Sequence, residues 1–313
     1  MSQAKKILGL IGHEIDYSLS PLMHNTAAEA LGLDVFYTIF DVYPPENLSD
    51  ALYGIRALDI MGVNVTIPYK EQVVRYMDSL SAEASEVRAV NTILNHEGNL
   101  IGYNTDIYGF SEPLKSYKDQ IEGHAVAVYG TGGAARAVVQ ALKQYFNPSK
   151  VYILARDEGK GGAFVDRFKR RSKNMKISAV EMTDESVVPI LEECRLIVNS
   201  TPIGTHHHSP SANQTATAIT KPDPLVLPEW KIWNSDKIAY DLVYRPQMTD
   251  FLSVAKKEGA QIVSGLEMLI HQGAKSFEIW TGKEMPIEKV RAILLAKLDE
   301  QAHTNELPTA HLK

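Results

Sequence analysis

The stretch AVAVYGTGGA, residues 125–134, decides the fold of this chain. A short apolar run typical of a buried strand leads directly into a turn with three glycines, and a helical pattern follows over 134–145. A strand, a glycine-rich turn and a helix make the first half of a dinucleotide-binding crossover, in which the backbone approaches a pyrophosphate at the helix N-terminus. The apolar run at 150–154 completes a βαβ unit.

Outward from this unit, strand-like and helix-like segments alternate along the chain, which indicates an α/β protein with mostly parallel sheets. Strands are predicted at 6–11, 35–40, 60–67, 89–95, 125–129, 150–154, 196–199 and 238–242. Helices are predicted at 21–31, 47–58, 70–77, 81–87, 108–117, 134–145, 266–280 and 286–301. A hairpin turn is expected at 97–99, a long surface loop at 206–228 and a frayed tail at 302–313.

Composition narrows the class of protein. The chain has 313 residues, 44% of them hydrophobic, and a prior of about 150 residues per domain predicts two domains. Its net charge of −6 leaves no basic field for nucleic acid or an anionic membrane. The first apolar run, at 7–11, is too short for a secretory signal, and no run approaches the ~20 residues of a membrane span.

The single cysteine, Cys194, allows no intrachain disulfide, which fits a reducing cytoplasm. It stands at the entrance to an apolar strand, so we expect a small buried hydrophobe and not a nucleophile. The triplet at 206–208 is His-His-His, but adjacent histidines point in divergent directions and no carboxylate supports them nearby in sequence. We therefore expect no metal site.

A lysine and an aspartate are the last residues of two short motifs, NVTIPYK at 64–70 and NTD at 104–106. An alcohol that loses a hydride must also lose a proton, which Lys70 could accept while Asp106 orients it. The alternative is purely structural: Lys70 begins a surface helix and Asp106 caps the next one. On spacing alone the structural interpretation is favoured.

Other polar residues lie where a ligand would need them. Ser18 and Ser20 precede Pro21 at a predicted helix start, where hydroxyls often act as caps. Thr66 and Asn91 lie at or near the C-terminal ends of predicted parallel strands, the edge where open α/β sheets bind ligands. Gln272 lies on a predicted helix that is otherwise lined by the apolar residues Leu266, Met268, Leu269 and Ile270. Together they predict a small, polyhydroxylated substrate.

Residues 155–160 follow the second strand of the βαβ unit, where an adenosine ribose is recognised. Arg156 and Lys160 could hold a 2′-phosphate, which is specific to NADP. Asp157 could instead accept a hydrogen bond from the 2′-hydroxyl of NAD. Two cations around one carboxylate favour NADP, and NAD stays open.

With these motifs in place, the chain resembles the shikimate dehydrogenase family over nearly its whole length, from Lys6 to about Leu298. The motifs that carry the resemblance are SLSPLMHN (18–25), NVTIPYK (64–70), AVNT (89–92), GYNTD (102–106), GTGGAAR (130–136), NSTPIG (199–204), DLVY (241–244) and GLEMLIHQ (265–272). Their number and order make the resemblance specific.

The resemblance implies reversible, NADP-dependent reduction of 3-dehydroshikimate to shikimate in aromatic amino-acid biosynthesis, with Lys70 as acid/base and Asp106 as its partner. The residues it implies for the substrate are Ser18, Ser20, Thr66, Asn91, Asp106, Tyr244 and Gln272. Those it implies for NADP are Gly130, Thr131, Gly132, Gly133, Ala134, Ala155, Arg156, Asp157, Lys160, Leu242 and Gly265.

The resemblance also implies an N-terminal α/β substrate domain (1–106), a Rossmann-type dinucleotide-binding domain (107–264) and C-terminal helices that return to the substrate domain (265–301). The site would lie in the cleft between the domains, and residues 302–313 would form a flexible tail. We expect a cytoplasmic monomer or homodimer that binds neither nucleic acid nor membrane.

Three positions depart from the family pattern. Tyr17 stands where members often carry histidine, Ala155-Arg156-Asp157 replaces Asn-Arg-Thr, and the 206–228 segment is longer than usual. Two alternatives stay open: a quinate/shikimate dehydrogenase that uses NAD, and a non-catalytic dinucleotide-binding regulator. The pair of serines favours shikimate, and the intact Lys70 and Asp106 argue against a regulator.

Overall fold

The computed structural model describes residues 5–169, 175–182, 184–205 and 232–306. The chain forms two compact units: one contains the residues up to Glu112 together with those from Leu269 onward, and the other is Pro113–Met268. The predicted loop at 206–228 and its histidine triplet lie outside the described residues. Within the described ranges no helix has the length and apolar character needed to cross a membrane.

Each unit is built on one sheet. The strands of the first unit are β1 Lys6–Gly12, β2 Val35–Asp41, β3 Gly62–Val65, β4 Ser79–Leu80, β5 Thr92–His96 and β6 Asn99–Tyr103. Those of the second unit are β7 Ala125–Tyr129, β8 Lys150–Ala155, β9 Ile177–Glu181, β10 Cys194–Asn199, β11 Ile238–Asp241 and β12 Gln261–Val263.

The helices pack around these sheets. They are α1 Ser20–Ala30, α2 Leu48–Ala57, α3 Ala82–Val87, α4 Asp106–Ser111, α5 Lys118–Ile121, α6 Gly133–Ala141, α7 Glu158–Lys169, α8 Asp184–Glu193, α9 Asp250–Lys257, α10 Gly265–Thr281 and α11 Ile287–Glu306. The helix predicted at 286–301 is therefore longer than expected, and residues 302–306 of the predicted tail belong to it.

The first sheet is mixed, in the order β2-β1-β3-β5-β6-β4. Strands β2, β1 and β3 are parallel, whereas β5 runs antiparallel to both β3 and β6. Strand β4 is parallel to β6, so three of the five pairs are parallel, as expected. The two antiparallel pairs arise because the turn at 97–99 joins β5 and β6 as a hairpin, and a hairpin requires antiparallel strands. This reversal determines which residues reach the site.

The second sheet has the order β12-β11-β10-β7-β8-β9, with every pair parallel. Strand β7 is buried along its whole length, as expected when helices cover both faces of a parallel sheet. The β7–α6–β8 unit confirms the prediction made from AVAVYGTGGA, and the α/β fold class is confirmed with it.

Two predicted helices differ in detail. The segment predicted at 70–77 forms a 3₁₀ helix over Gln72–Tyr76, so Lys70 lies in the turn before it. The helix predicted at 108–117 is divided into α4 and a 3₁₀ helix over Glu112–Tyr117. Pro113 lacks a backbone N–H and cannot donate to the preceding turn, which explains the change of helix type.

Candidate active site

The polar edge of the first sheet is built by strand direction. Asn64 lies near the end of β3, and its register partner Thr92 begins β5. Because β5 is antiparallel to β3, the start of β5 lies at the same edge as the end of β3. Asn91, expected near the end of a parallel strand, in fact precedes an antiparallel one, and it reaches the same edge by this route.

Lys70 and Asp106 are paired at this edge. Lys70 Nζ lies 2.7 Å from Asp106 Oδ2, and the side chains are 23% and 7% exposed. The residue before α4 is Thr105, whose side chain forms no cap, and Asp106 is the first helical residue. Asp106 therefore holds the lysine and is not the helix cap that the alternative interpretation expected.

The second carboxylate oxygen of Asp106 accepts a hydrogen bond from Asn91. The distance from Asn91 Nδ2 to Asp106 Oδ1 is 2.8 Å. The amide orientation is determined by the Thr105 backbone N–H, which donates to Asn91 Oδ1 at 2.7 Å. Gln272 lies beside them, with its Oε1 3.4 Å from Asn91 Nδ2 and its own amide donating to Leu269 O. Four predicted site residues are thus brought together.

The serine pair lies at the start of α1. Ser18 Oγ accepts the backbone N–H of Ser20 at 3.2 Å, and the two hydroxyls are also 3.2 Å apart. Tyr37 connects Ser20 to the polar edge, since its hydroxyl donates to Asn64 Oδ1 at 2.8 Å. Burial raises the pKa of the Tyr37 phenol well above its usual value, and a hydrogen bond with Ser20 offsets part of that effect.

Thr66 follows β3 and is half-buried, with its backbone N–H donating to Ile11 O. Sequence reasoning missed three hydroxyls behind the site: Thr92, Thr105 and Ser276. Only Ser276 left a usable signal, because residues four apart on a helix share a face and Gln272 had already been selected.

The glycine turn of the second unit suits a pyrophosphate. Gly130 has φ of +106°, and a Cβ there would come within 3.0 Å of both Ser200 Oγ and Thr201 Cγ2. Gly132 and Gly133 face open space, with no atom of the described residues within 4 Å of an added Cβ. Gly133 begins α6, so a helix N-terminus with free N–H donors faces that space. Thr131 and Ala134 complete the turn and are half-buried.

At the end of β8, buried Ala155 is followed by exposed Arg156, Asp157 and Lys160. Asp157 Oδ1 accepts the backbone N–H of Lys160 at 2.8 Å, the pattern of an N-cap on α7. The carboxylate that suggested NAD is therefore engaged by the helix, while the Arg156 guanidinium lies at the protein surface.

Leu242 and Tyr244 follow β11 in the second unit. Gly265 begins α10, and a Cβ there would come within 2.4 Å of Leu242 O and 2.6 Å of Val243 O. Glycine is required at this position because the helix starts against the backbone that follows β11. Tyr244 belongs to the second unit, whereas Lys70 and Asp106 belong to the first.

A parallel sheet with a glycine turn for a dinucleotide, and a lysine–carboxylate pair among amides and hydroxyls, define a class: the dinucleotide-dependent dehydrogenases that act on alcohols. Two family descriptions match the chain: the shikimate dehydrogenase substrate binding domain over residues 10–93, and the shikimate 5′-dehydrogenase C-terminal domain over 265–295.

Individual relatives cover almost the whole chain. A shikimate dehydrogenase (NADP⁺) of Chlorobium phaeobacteroides is 45% identical over 300 residues, which are 95% of this chain and 99% of the relative. The structure of shikimate 5-dehydrogenase from Thermus thermophilus with NADP(H) and shikimate has a TM-score of 0.75 and 34% identity, covering 93% of this chain and 99% of that one. A quinate dehydrogenase from Corynebacterium glutamicum with NAD has a TM-score of 0.79 at 26% identity, covering 94% and 100%. The chain belongs to the shikimate dehydrogenase family.

Proposed function

We propose that this protein catalyses the reversible, NADP-dependent reduction of 3-dehydroshikimate to shikimate. The observation that carries the proposal is the Lys70–Asp106 pair at 2.7 Å, with the Asn91 amide on the other carboxylate oxygen. The close relative from Chlorobium, named for NADP⁺ and shikimate, supports the choice of substrate and cofactor.

In the direction of reduction, the protonated Lys70 donates a proton from Nζ to the carbonyl oxygen of the substrate as that oxygen gains negative charge. Asp106 holds the ammonium group in place through Oδ2, and Asn91 holds Asp106 through Oδ1. In the reverse direction Lys70 accepts the hydroxyl proton. Ser18, Ser20, Thr66, Gln272 and Tyr244 are proposed to bind the carboxylate and hydroxyl groups of the substrate.

The second unit is proposed to hold the dinucleotide, which supplies or removes the hydride when it is bound. Its residues fit this group, because Gly132 and Gly133 leave open space before the N-terminus of α6. We assign the pyrophosphate to residues 130–134, the ribose phosphate to residues 155–160, and the nicotinamide to Leu242 and Gly265. The first unit, with residues from Leu269 onward, is proposed as the substrate domain.

NADP is favoured over NAD by the state of residues 156–160. Asp157 accepts the N–H of Lys160 and caps α7, so one oxygen of its carboxylate is already engaged by the helix. Arg156 is exposed and carries the planar group suited to a phosphate. The proposal also includes a cytoplasmic location, in keeping with the single buried cysteine, and a monomer or homodimer.

A four-way comparison tests the proposal. Purified protein is given shikimate or quinate with NADP⁺ or NAD⁺, and the reduced cofactor is followed by absorbance. We expect the highest kcat/KM for shikimate with NADP⁺. A higher kcat/KM for quinate, or with NAD⁺, would replace this function by the quinate/shikimate alternative, and inactivity with all four pairs would leave a non-catalytic regulator.

A further inference from the structure

Ser276 lies one helical turn beyond Gln272 on α10 and is completely buried. Its hydroxyl oxygen meets three other side chains from the polar edge of the sheet. Thr92 Oγ1 is 2.7 Å away, Asn64 Nδ2 is 3.0 Å away and Thr105 Oγ1 is 3.1 Å away. A helix more than 170 residues later in the sequence thus places one hydroxyl behind the residues that hold the Lys70–Asp106 pair.

The direction of these hydrogen bonds follows from the protons available. A hydroxyl has one proton to donate, and Ser276 gives its proton to the Gln272 carbonyl at 3.0 Å. Its lone pairs must therefore accept, and the shortest approach, 2.7 Å, is from the Thr92 hydroxyl. The single proton of Thr92 has two acceptors within reach, Ser276 Oγ at 2.7 Å and Asn91 Oδ1 at 3.1 Å, and the shorter distance favours Ser276.

Without Ser276, Asn91 Oδ1 is the side-chain oxygen that remains to accept that proton, at 3.1 Å from Thr92 Oγ1. The same oxygen already accepts the Thr105 backbone N–H at 2.7 Å and lies 3.2 Å from the Thr105 hydroxyl. An amide oxygen has two lone pairs, so a third donor competes with the two that are present. The competition would disturb the amide that faces Asp106.

We infer that Ser276 is a positioning residue for this reaction. By accepting the Thr92 proton, it keeps Asn91 Oδ1 available to Thr105, and so keeps Asn91 Nδ2 directed at Asp106. The Asp106 carboxylate then presents its other oxygen to Lys70. This inference rests on the proposed function, because the geometry that it protects is that of the proton donor.

The central test compares Ser276→Ala with Thr281→Ala. Thr281 is a matched control on the same helix, because its hydroxyl also donates to the carbonyl four residues earlier, Phe277 O, at 2.7 Å. We expect Ser276→Ala to lower kcat by about tenfold, since misplacement of a reacting group by about 1 Å can cost up to about a hundredfold. KM for shikimate should stay within about twofold, and Thr281→Ala should keep the wild-type kcat.

Two variants of Thr92 separate the hydroxyl from its bulk. Thr92→Ser keeps the donor and should retain most of kcat, whereas Thr92→Val has the same shape without the donor. Valine also removes the competing proton, so adding Ser276→Ala to Thr92→Val should lower kcat far less than Ser276→Ala lowers it in the wild-type background. If Ser276 had a merely structural role, Ser276→Ala would lower the melting temperature in both the wild-type and the Thr92→Val backgrounds. The effect of Ser276→Ala on kcat would then be the same in the two backgrounds.

A measurement that needs no activity follows the Thr105 backbone amide by hydrogen exchange. Its protection should fall in Ser276→Ala and stay unchanged in Thr281→Ala, because Thr105 loses part of its bond to Asn91. A folded Ser276→Ala protein with wild-type kcat, an effect on KM alone, or unchanged Thr105 protection overturns the inference. If the wild type is inactive towards shikimate, the proposed function fails by itself, and the exchange experiment still decides whether Ser276 orders Thr105 and Asn91.

Discussion

Replacing Lys70 by methionine removes the ammonium group and keeps most of the apolar stem. The ammonium is the proton donor in the proposed reaction, and no other cation is bonded to Asp106 among the described residues. A positioned general acid contributes about 10²- to 10⁴-fold to rate. We therefore expect kcat to fall by at least about a hundredfold, and the affinity for shikimate to change far less.

The same substitution should leave the protein folded. A hydrogen bond to a charged group contributes about 1.5–3 kcal/mol. The Lys70 side chain is 23% exposed, so water already screens part of this interaction. Asp106 keeps the Asn91 hydrogen bond and can gain water where the ammonium was. The net loss of unfolding free energy should be about 1–2 kcal/mol.

The assay measures kcat and KM for shikimate with NADP⁺, together with shikimate binding by calorimetry. Lys297→Met is the matched control, because Lys297 Nζ lies 3.2 Å from Glu300 in a pair that is 46% and 69% exposed. Such an exposed pair contributes about 0–1 kcal/mol, and the control should keep the wild-type kcat. A Lys70→Met protein with near-wild-type kcat would refute the assignment of Lys70 as acid/base.

Three further predictions concern other parts of the chain. Arg156→Ala should lower kcat/KM for NADP⁺ by about tenfold and leave kcat/KM for NAD⁺ unchanged. Asp157→Ala should lower the free energy of unfolding by about 1 kcal/mol without changing the ratio of kcat/KM for NADP⁺ to that for NAD⁺. A changed ratio in Asp157→Ala would contradict its role as a helix cap. Burial lowers the pKa of His24 from 6.5 to about 3, so between these values the unfolded chain binds a proton that the folded protein does not. This group should therefore lower the free energy of unfolding by about 2 kcal/mol between pH 7 and pH 5. Denaturant titration measures that free energy, and an equal dependence on pH in the wild type and in His24→Phe would disprove the prediction. Burial raises the pKa of the Cys194 thiol to about 12, so alkylation at pH 8 should require unfolding, and equally fast alkylation of native and denatured protein, followed by mass spectrometry, would contradict this.

The elements that could be predicted from the sequence are those that depend on short local patterns. The run 125–134 gave both the strand β7 and the turn before α6, because a continuous apolar strand, a glycine turn and a helical period are each readable within a few residues. The hairpin at 97–99 was predicted for the same reason. The position of Asn91 could not be predicted in the same way. It depends on β5 being paired antiparallel to β3, so that the start of β5 lies at the polar edge of the sheet.

What sequence could not show are the contacts between distant segments. Helical spacing could place Ser276 on the same face as Gln272, but nothing near it in sequence indicated that it meets Thr92. Asp157 was read as a candidate for the ribose because its type and position allowed it, while the hydrogen bond to the Lys160 N–H appears only in three dimensions. Whether a polar side chain binds a ligand or stabilises the fold depends on its exposure and on its hydrogen-bond partners. Neither can be derived from the residue type alone.

The first unit is completed by residues that are synthesised after the whole of the second unit. Trp280 of α10 donates to Ile93 O at 2.9 Å, and Gly62 lacks a Cβ where the indole ring lies. The residues of Pro113–Met268 are synthesised between the two halves of this unit, which takes roughly 8 to 30 seconds at about 5–20 residues per second. Until α10 has been synthesised, Tyr37 and His24 lack the aromatic ring of Trp280, against which both pack in the folded unit.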